Sequence, residues 1–290
     1  VNDLQAFTPF MVAGVVTGAI YTLAAVGIVV LYRASGVVNF AQGAIGAVGA
    51  FVAWTLVESS SPQWLAWTAG TAVSILLSMF YGRLLSPRLA FSDPVVRAVG
   101  TLSFALVLLG FMGYVWGEAP RRLRLPTDLM SATIFDVQIT ATRGLALGIA
   151  VVVAVGMMVF LGRTRLGLQM RALAADRELS AMLGVKVLRV DMWSWGISGA
   201  LAGVSGILLA DLQRLSGQVL TFVVIPAIAA AVVGRFTSLP ATVFGGLVIG
   251  VAEAVLTPVP VVGPFRTAVP FVVAVAALIW LQRQQRFVFR

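Results

Sequence analysis

Residues 162–190 read GRTRLGLQMRALAADRELSAMLGVKVLRV, a polar, mostly basic island between two long apolar blocks. Arg163, Arg165, Arg171, Arg177, Lys186 and Arg189 face only Asp176 and Glu178 within it. Ala172, Ala175, Leu179, Met182 and Leu183 recur at three- and four-residue spacing, which predicts one apolar helical face. Asp176 has the chemistry of a helix N-cap, and Gly184 that of a helix stop. A short amphipathic helix in a basic loop is placed to dock on a soluble partner. The competing reading is a solvated loop that satisfies the charge bias of membrane proteins.

Working outward from the island, composition settles the class. Of 290 residues, 60% are hydrophobic and 11% charged, against about 25% charged in a soluble domain. Nine apolar blocks of roughly bilayer-spanning length lie near 9–31, 36–57, 63–84, 95–117, 141–162, 190–212, 219–235, 240–257 and 265–282. This predicts an all-α polytopic membrane protein with about nine membrane-embedded helices in a single domain over 1–290. The net charge of +9 sits in short loops, so it reflects loop bias rather than nucleic acid. The chain has no Cys and no His, which excludes thiolate and imidazole chemistry in it.

Alternating the connections between two sides places Arg33, Arg83, Arg88, Arg97, the island, Arg235 and Arg283 together. By the positive-inside rule that side is cytoplasmic, the N-terminus is outside and the C-terminus inside. The first apolar block follows no basic leader and is read as a span rather than a signal peptide. Arg121, Arg122 and Arg124 are exceptions on the outer side, partly offset by Glu118, Asp128 and Asp136. From Ile134 to Thr142 a loosely alternating, β-branched run predicts a small hairpin.

A faint internal repeat aligns Leu23–Leu31, Ser35-Gly36 and Phe40 with Leu201–Leu209, Ser216-Gly217 and Phe222. The halves, about 9–117 and 190–282, would run in opposite directions as four spans, one extra span, and four spans inverted. Inverted repeats are a recurrent transporter plan with the pathway at their interface.

Three polar features stand inside this apolar frame. Asn39 and Gln42, flanking Phe40, lie three residues apart, and Gly43, Gly46 and Gly49 follow as a small-residue strip that lets another helix approach. A buried, unpaired amide costs roughly 1–3 kcal/mol, so the pair must bond a neighbouring helix or line a wet pathway. Glu253 is the clearest acid inside an apolar block and is a pathway group or an anchor satisfied by water or Arg266. Gly234-Arg-Phe-Thr-Ser-Leu-Pro-Ala241 breaks an apolar run, and Pro240 suits the first turn of the next helix.

Tyr21-Thr-Leu-Ala-Ala-Val-Gly27, Gly36-Val-Val-Asn-Phe-Ala-Gln-Gly43, Arg171-Ala-Leu-Ala-Ala-Asp176 with Ala181-Met-Leu-Gly184, and Ser238-Leu-Pro-Ala241 with Gly245-Gly246 resemble the branched-chain amino acid ABC-transporter permeases. The resemblance covers nearly the whole chain in the expected order. It implies a type II-like importer permease in a bacterial plasma (inner) membrane. The implied partners are a second homologous permease (a heterodimer), two ATPase subunits and an extracytoplasmic solute-binding protein. ATP and Mg would belong to the ATPase subunits, with no cofactor in this chain. It places ATPase coupling on the 163–189 loop, with Arg171, Asp176, Glu178, Leu179, Met182, Leu183 and Gly184. Pathway or packing roles fall to Asn39, Phe40, Gln42, Gly43, Gly46 and Glu253. Related members carry urea, short amides and small organic acids, so the substrate stays open. The family's Gly-Gly run before Ser-Leu-Pro is reduced here to Gly234-Arg235-Phe236-Thr237, a departure at a close turn.

No paired carboxylates, metal-ligand cluster, activated nucleophile or phosphate loop occurs, so neither a catalytic nor a metal site is expected. Energy would come from partner chains. An ion-coupled secondary transporter is the alternative and would need a titratable midplane group, for which Glu253 is the only candidate. An intramembrane enzyme would need a catalytic pair, which the sequence lacks.

Overall fold

Long unbroken runs of Leu, Val, Ile and Ala cannot leave backbone polar groups unpaired in hydrocarbon, so they close their hydrogen bonds within helices. The computed structural model describes residues 2–89, 92–123, 131–134 and 137–288. Its helices are α1 (Asn2–Ser35), α2 (Gln42–Glu58), α3 (Gln63–Phe80), α4 (Pro94–Trp116), α5 (Ala141–Arg163), α6 (Arg165–Ala175), α7 (Arg177–Met182), α8 (Val187–Leu212), α9 (Gly217–Phe222), α10 (Val224–Val233), α11 (Leu239–Leu256) and α12 (Val269–Val288). A π-helical turn, Tyr81–Leu85, extends α3, and a 3-10 turn, Gly263–Ala268, leads into α12.

All nine apolar blocks are helical, but only seven give helices long and apolar enough to cross a membrane. The other two, Gln42–Glu58 and Gly217–Val233, are shorter, so the expected nine or so membrane-embedded helices divide, among the described residues, into seven of spanning length and two shorter segments. The block at 36–57 loses its first residues to an irregular link, where Gly36 takes φ 66°. The block at 219–235 breaks at Val223 into α9 and α10. Both shortened elements are wrapped by protein. Ten residues of α2 and six of α10 are buried. A helix shielded from lipid can stop short, because its end groups find protein partners.

α1 and α8 form the centre. α1 packs on α8, α10 and α11, while α8 packs on α1, α2 and α3. Small residues allow the contact. A Cβ on Gly250 of α11 would lie 2.3 Å from the Gly18 backbone of α1. The strip on α2 serves three neighbours rather than one. Cβ atoms on Gly43, Gly46 and Gly49 would meet the Thr221 carbonyl oxygen at 2.2 Å, the Ala202 carbonyl oxygen at 2.4 Å and Ser74 Oγ at 2.2 Å. Three-residue steps turn about 60° around a 3.6-residue helix, so successive glycines face different partners.

Outside this centre, α4, α5 and α12 present Val99, Leu106, Tyr114, Val152, Val155, Phe271 and Trp280 to the surroundings. These apolar surfaces, on helices of spanning length, make the chain a multi-pass membrane protein.

The expected hairpin is present but begins three residues earlier. β1 (Ser131–Ile134) pairs antiparallel with β2 (Val137–Thr140), because α5 claims the chain from Ala141. Arg121 is held without an acid. Its guanidinium lies 4.2 Å from the Trp54 ring centroid, it donates to the Trp116 carbonyl, and its backbone bridges Leu215. Arg124, Asp128 and Asp136 lie outside the described residues.

Candidate functional site

Three places gather the polar groups that the sequence singles out. The first is a closed amide network. Asn39 is not on a helix but in the link before α2, where its Oδ1 accepts from the Ala41 amide at 3.0 Å. Its Nδ2 donates to Gln42 Oε1 at 3.1 Å. Gln42 Oε1 also accepts from Ser198 Oγ of α8 at 2.8 Å, and Gln42 Nε2 donates to the Ser198 carbonyl at 3.1 Å. All three residues are fully buried. Phe40 is half-buried, and its amide donates to Thr101 Oγ1 of α4 at 3.1 Å. Gln42 Oε1 accepts two hydrogen bonds and Nε2 donates one, so this cluster fastens α2 to α8. Sequence patterns held no sign of Ser198, which is 156 residues away.

The second place is the basic island. The face expected from Ala172 to Leu183 does not lie on one helix, because Asp176 (φ −154°) interrupts it. Thr164 caps α6, its Oγ1 accepting from Gly167 N at 3.0 Å. Met170 and Leu173 bury α6 against α1 and α5. Asp176 then caps α7, its Oδ1 accepting from Leu179 N at 2.9 Å, and Gly184 ends the turn at φ 85°. Only glycine adopts that left-handed conformation without a Cβ penalty. Arg171, Asp176 and Glu178 are exposed. So are Leu179 (53%), Met182 (84%) and Leu183 (77%), a cluster of large apolar side chains outside the bundle. Arg177 stands apart from the other cations, since it pairs with Asp191 of α8 and donates to the Ala34 carbonyl of α1 at 2.8 Å.

The third place is a cavity of about 680 Å³ at the end of the bundle remote from the island. It lies between the middle of α1, the two residues just after α8, helices α9 and α10, the end of α11, and the turn leading into α12. Glu253 faces it, and its Oε2 accepts from Tyr21 Oη at 2.9 Å. Arg266 also lines it and donates to Thr257 Oγ1 at 3.3 Å. Glu253 is therefore both anchored and cavity-facing, and its anchor is Tyr21 of α1. One turn further along α1 the packing closes, with Leu23, Ala25, Ile28 and Val29 at zero exposure. The amide network and the cavity are thus separate sites, although the sequence groups Asn39, Gln42 and Glu253 as one class.

The turn before α11 shows how the departure at 234–237 is accommodated. Arg235 and Phe236 both take φ 54° in the left-handed region. Their amides donate to the Val232 and Ala231 carbonyls, each at 2.8 Å. Phe236 packs on Tyr32 with ring centroids 4.7 Å apart. Gly234 keeps the close approach, since a Cβ there would lie 2.0 Å from Thr242 Oγ1.

Comparison with known proteins agrees with this arrangement. Residues 10–278 match the family model for the permease component of branched-chain amino acid transport systems. The high-affinity branched-chain amino acid permease BraD of Pseudomonas aeruginosa is 30% identical over 268 residues, covering 84% of each chain. LivH of Salmonella typhimurium, a permease of the same description, is 26% identical over 86% of this chain and 85% of its own. A probable LivH of Methanocaldococcus jannaschii is 27% identical over 81% of this chain and 76% of its own. With a family match across most of its length and a helical membrane bundle to carry it, the chain belongs to the permease components of branched-chain amino acid transport systems.

Proposed function

We propose that the chain is the membrane-spanning subunit of an ATP-driven importer of branched-chain amino acids. It works with a second, related permease, two ATPase subunits that bind ATP and Mg, and an extracytoplasmic solute-binding protein. The observation that carries this reading is α7: a capped helix with three exposed apolar side chains, tied by Arg177 to the ends of both central helices. Leu179, Met182 and Leu183 insert into a cleft on the ATPase, while Arg171, Asp176 and Glu178 form the polar rim.

Nucleotide-driven movement of the ATPase displaces α7, and Arg177 passes that displacement to α1 and α8. α1 lines the cavity through Thr17 and Tyr21, and Gln213, the residue that ends α8, lines it too. Movement at one end of the bundle is thereby linked to the site at the other. Two repeats that rock against each other fit the contact pattern. Exchanging α1 with α8, α3 with α11 and α2 with α10 maps the α1–α11 contact onto α8–α3, and α1–α10 onto α8–α2. The island faces the cytoplasm of a bacterial inner membrane, with the N-terminus outside and the C-terminus inside. The chain binds no cofactor of its own.

The test is retention of the ATPase pair by the purified permease. The wild-type chain should bring the pair through purification, and Leu183→Asp should release it or uncouple ATP hydrolysis from uptake. A handful of buried anchors dominates interfaces of this kind, so the loss should be about 2 kcal/mol or more. Wild-type retention and uptake by Leu183→Asp would overturn the coupling assignment. Uptake by this chain alone under an ion gradient would favour an ion-coupled carrier instead.

A further inference from the structure

The coupling mechanism makes no use of the chemistry in the large cavity, and that chemistry is unusual for the interior of a membrane bundle. We propose that the cavity is a zwitterion site in the permease itself. Glu253 carries the α-ammonium group, Arg266 with Arg214 carries the α-carboxylate, and a wall of Val219, Phe222 and Ile225 receives a branched apolar side chain. This rests on the importer reading above and adds to it a substrate subsite within this chain.

Two of the three charged side chains that line the cavity, Glu253 and Arg266, have hydrogen-bonding capacity to spare. Glu253 spends Oε2 on the neutral Tyr21 hydroxyl, and its Oε1 has no hydrogen-bond partner among the described residues. Arg266 makes one hydrogen bond among the described residues, to Thr257 Oγ1 at 3.3 Å. Arg266 lies near enough to stabilise the Glu253 charge through space, but the two make no direct ion pair, unlike Arg177 and Asp191 far from the cavity. A carboxylate withdrawn from water is costly until a cation meets it.

Spacing makes the opposite charges complementary to one small molecule. Thr257 stands four residues after Glu253, and its hydroxyl donates to the Glu253 carbonyl at 2.9 Å. The guanidinium that touches Thr257 therefore approaches α11 about one helical turn, ~5.4 Å, beyond the residue that bears the carboxylate. A zwitterion spans such an offset with its two heads, while a simple cation or anion satisfies only one. Val219, Phe222 and Ile225 form an apolar wall from α9 and α10, the segment broken at Val223. A volume of about 680 Å³ holds a small ligand and some water. Few polar groups on an apolar wall is the usual composition of a small-molecule site. The closed packing below Tyr21 leaves the ligand at the end where it enters.

The chain contains no Cys, so the site can be read by alkylation. Thr17→Cys and Ala254→Cys, both in the cavity lining, are introduced separately into the assembled transporter and treated with a hydrophilic maleimide. L-Leucine should slow alkylation at these positions several-fold and leave Ser60→Cys, exposed and away from the cavity, untouched. Isoamylamine, which lacks the carboxylate, and 4-methylpentanoate, which lacks the ammonium, should protect roughly ten-fold less well. A polar site discriminates strongly against analogues that leave its groups unpaired. Adding Glu253→Gln, which still accepts from Tyr21, should abolish protection by leucine. Leucine uptake is measured in the same preparations. Uptake with no protection at either cysteine, or with equal protection by all three compounds, overturns the zwitterion site and leaves the importer reading intact. An assembled transporter that takes up no leucine overturns the importer reading and this site with it.

Discussion

Arg177 donates through Nη1 to the carbonyl oxygen of Ala34 at 2.8 Å while its other amino group pairs with Asp191. One guanidinium thus joins α7 to the end of α1 and the start of α8. Its side chain is 43% exposed and Asp191 13%, so solvent screens the pair. Its worth is about 1 kcal/mol rather than the larger value of a fully buried pair. Arg177→Gln should leave insertion and ATPase binding nearly unchanged but lower uptake per ATP hydrolysed. Arg165→Gln, with no such link, should do little. Equal ratios of uptake to hydrolysis in the two variants would remove Arg177 from the coupling path.

Gln42 is the hub of the buried amide network, and its loss strands the Ser198 hydroxyl and the Asn39 amide. Each stranded group costs roughly 1–3 kcal/mol. Gln42→Leu should lower the melting temperature of the purified complex by several degrees and reduce uptake in proportion. Asn39→Leu should do the same to a smaller extent, because Asn39 makes no direct contact with α8. Wild-type melting with abolished uptake would instead make these residues substrate contacts.

The left-handed pair Arg235 and Phe236 invites an unusual substitution pattern. A side chain in that region costs roughly 1–2 kcal/mol, more for a β-branched one. Arg235→Gly should be neutral or stabilising, the relief of strain offsetting the extra freedom of the unfolded chain. Arg235→Val should lower the melting temperature. Phe236→Gly should also destabilise, since it loses the packing on Tyr32. Thermal melts of the three variants check the order.

Orientation is open to direct test in the Cys-free chain. Ser60 and Val261 are exposed at one end of the bundle and Met182 at the other. An impermeant thiol reagent added to intact cells should label Ser60→Cys and Val261→Cys and spare Met182→Cys. Ser180 is unsuitable as a probe because it is the buried residue of α7. Labelling at Met182 from outside would reverse the topology and separate α7 from any cytoplasmic ATPase.

Sequence alone determined the membrane class, the positions of the apolar blocks, the caps at Asp176 and Gly184 and the place of Pro240 in the first turn of α11. These follow from local rules: run length against bilayer thickness, and side-chain chemistry within three residues of a helix end. It also marked Asn39, Gln42 and Glu253 as unusual, because polar groups in apolar runs demand an explanation. Only the tertiary structure separated them. Gln42 meets Ser198 across 156 residues and Tyr21 meets Glu253 across 232, and no local pattern encodes such partners. The break at Val223 and the shortened α2 were likewise decided by enclosure. A hydrophobic run reads the same whether lipid or protein surrounds it, yet only an enclosed helix can stop short of the bilayer's thickness.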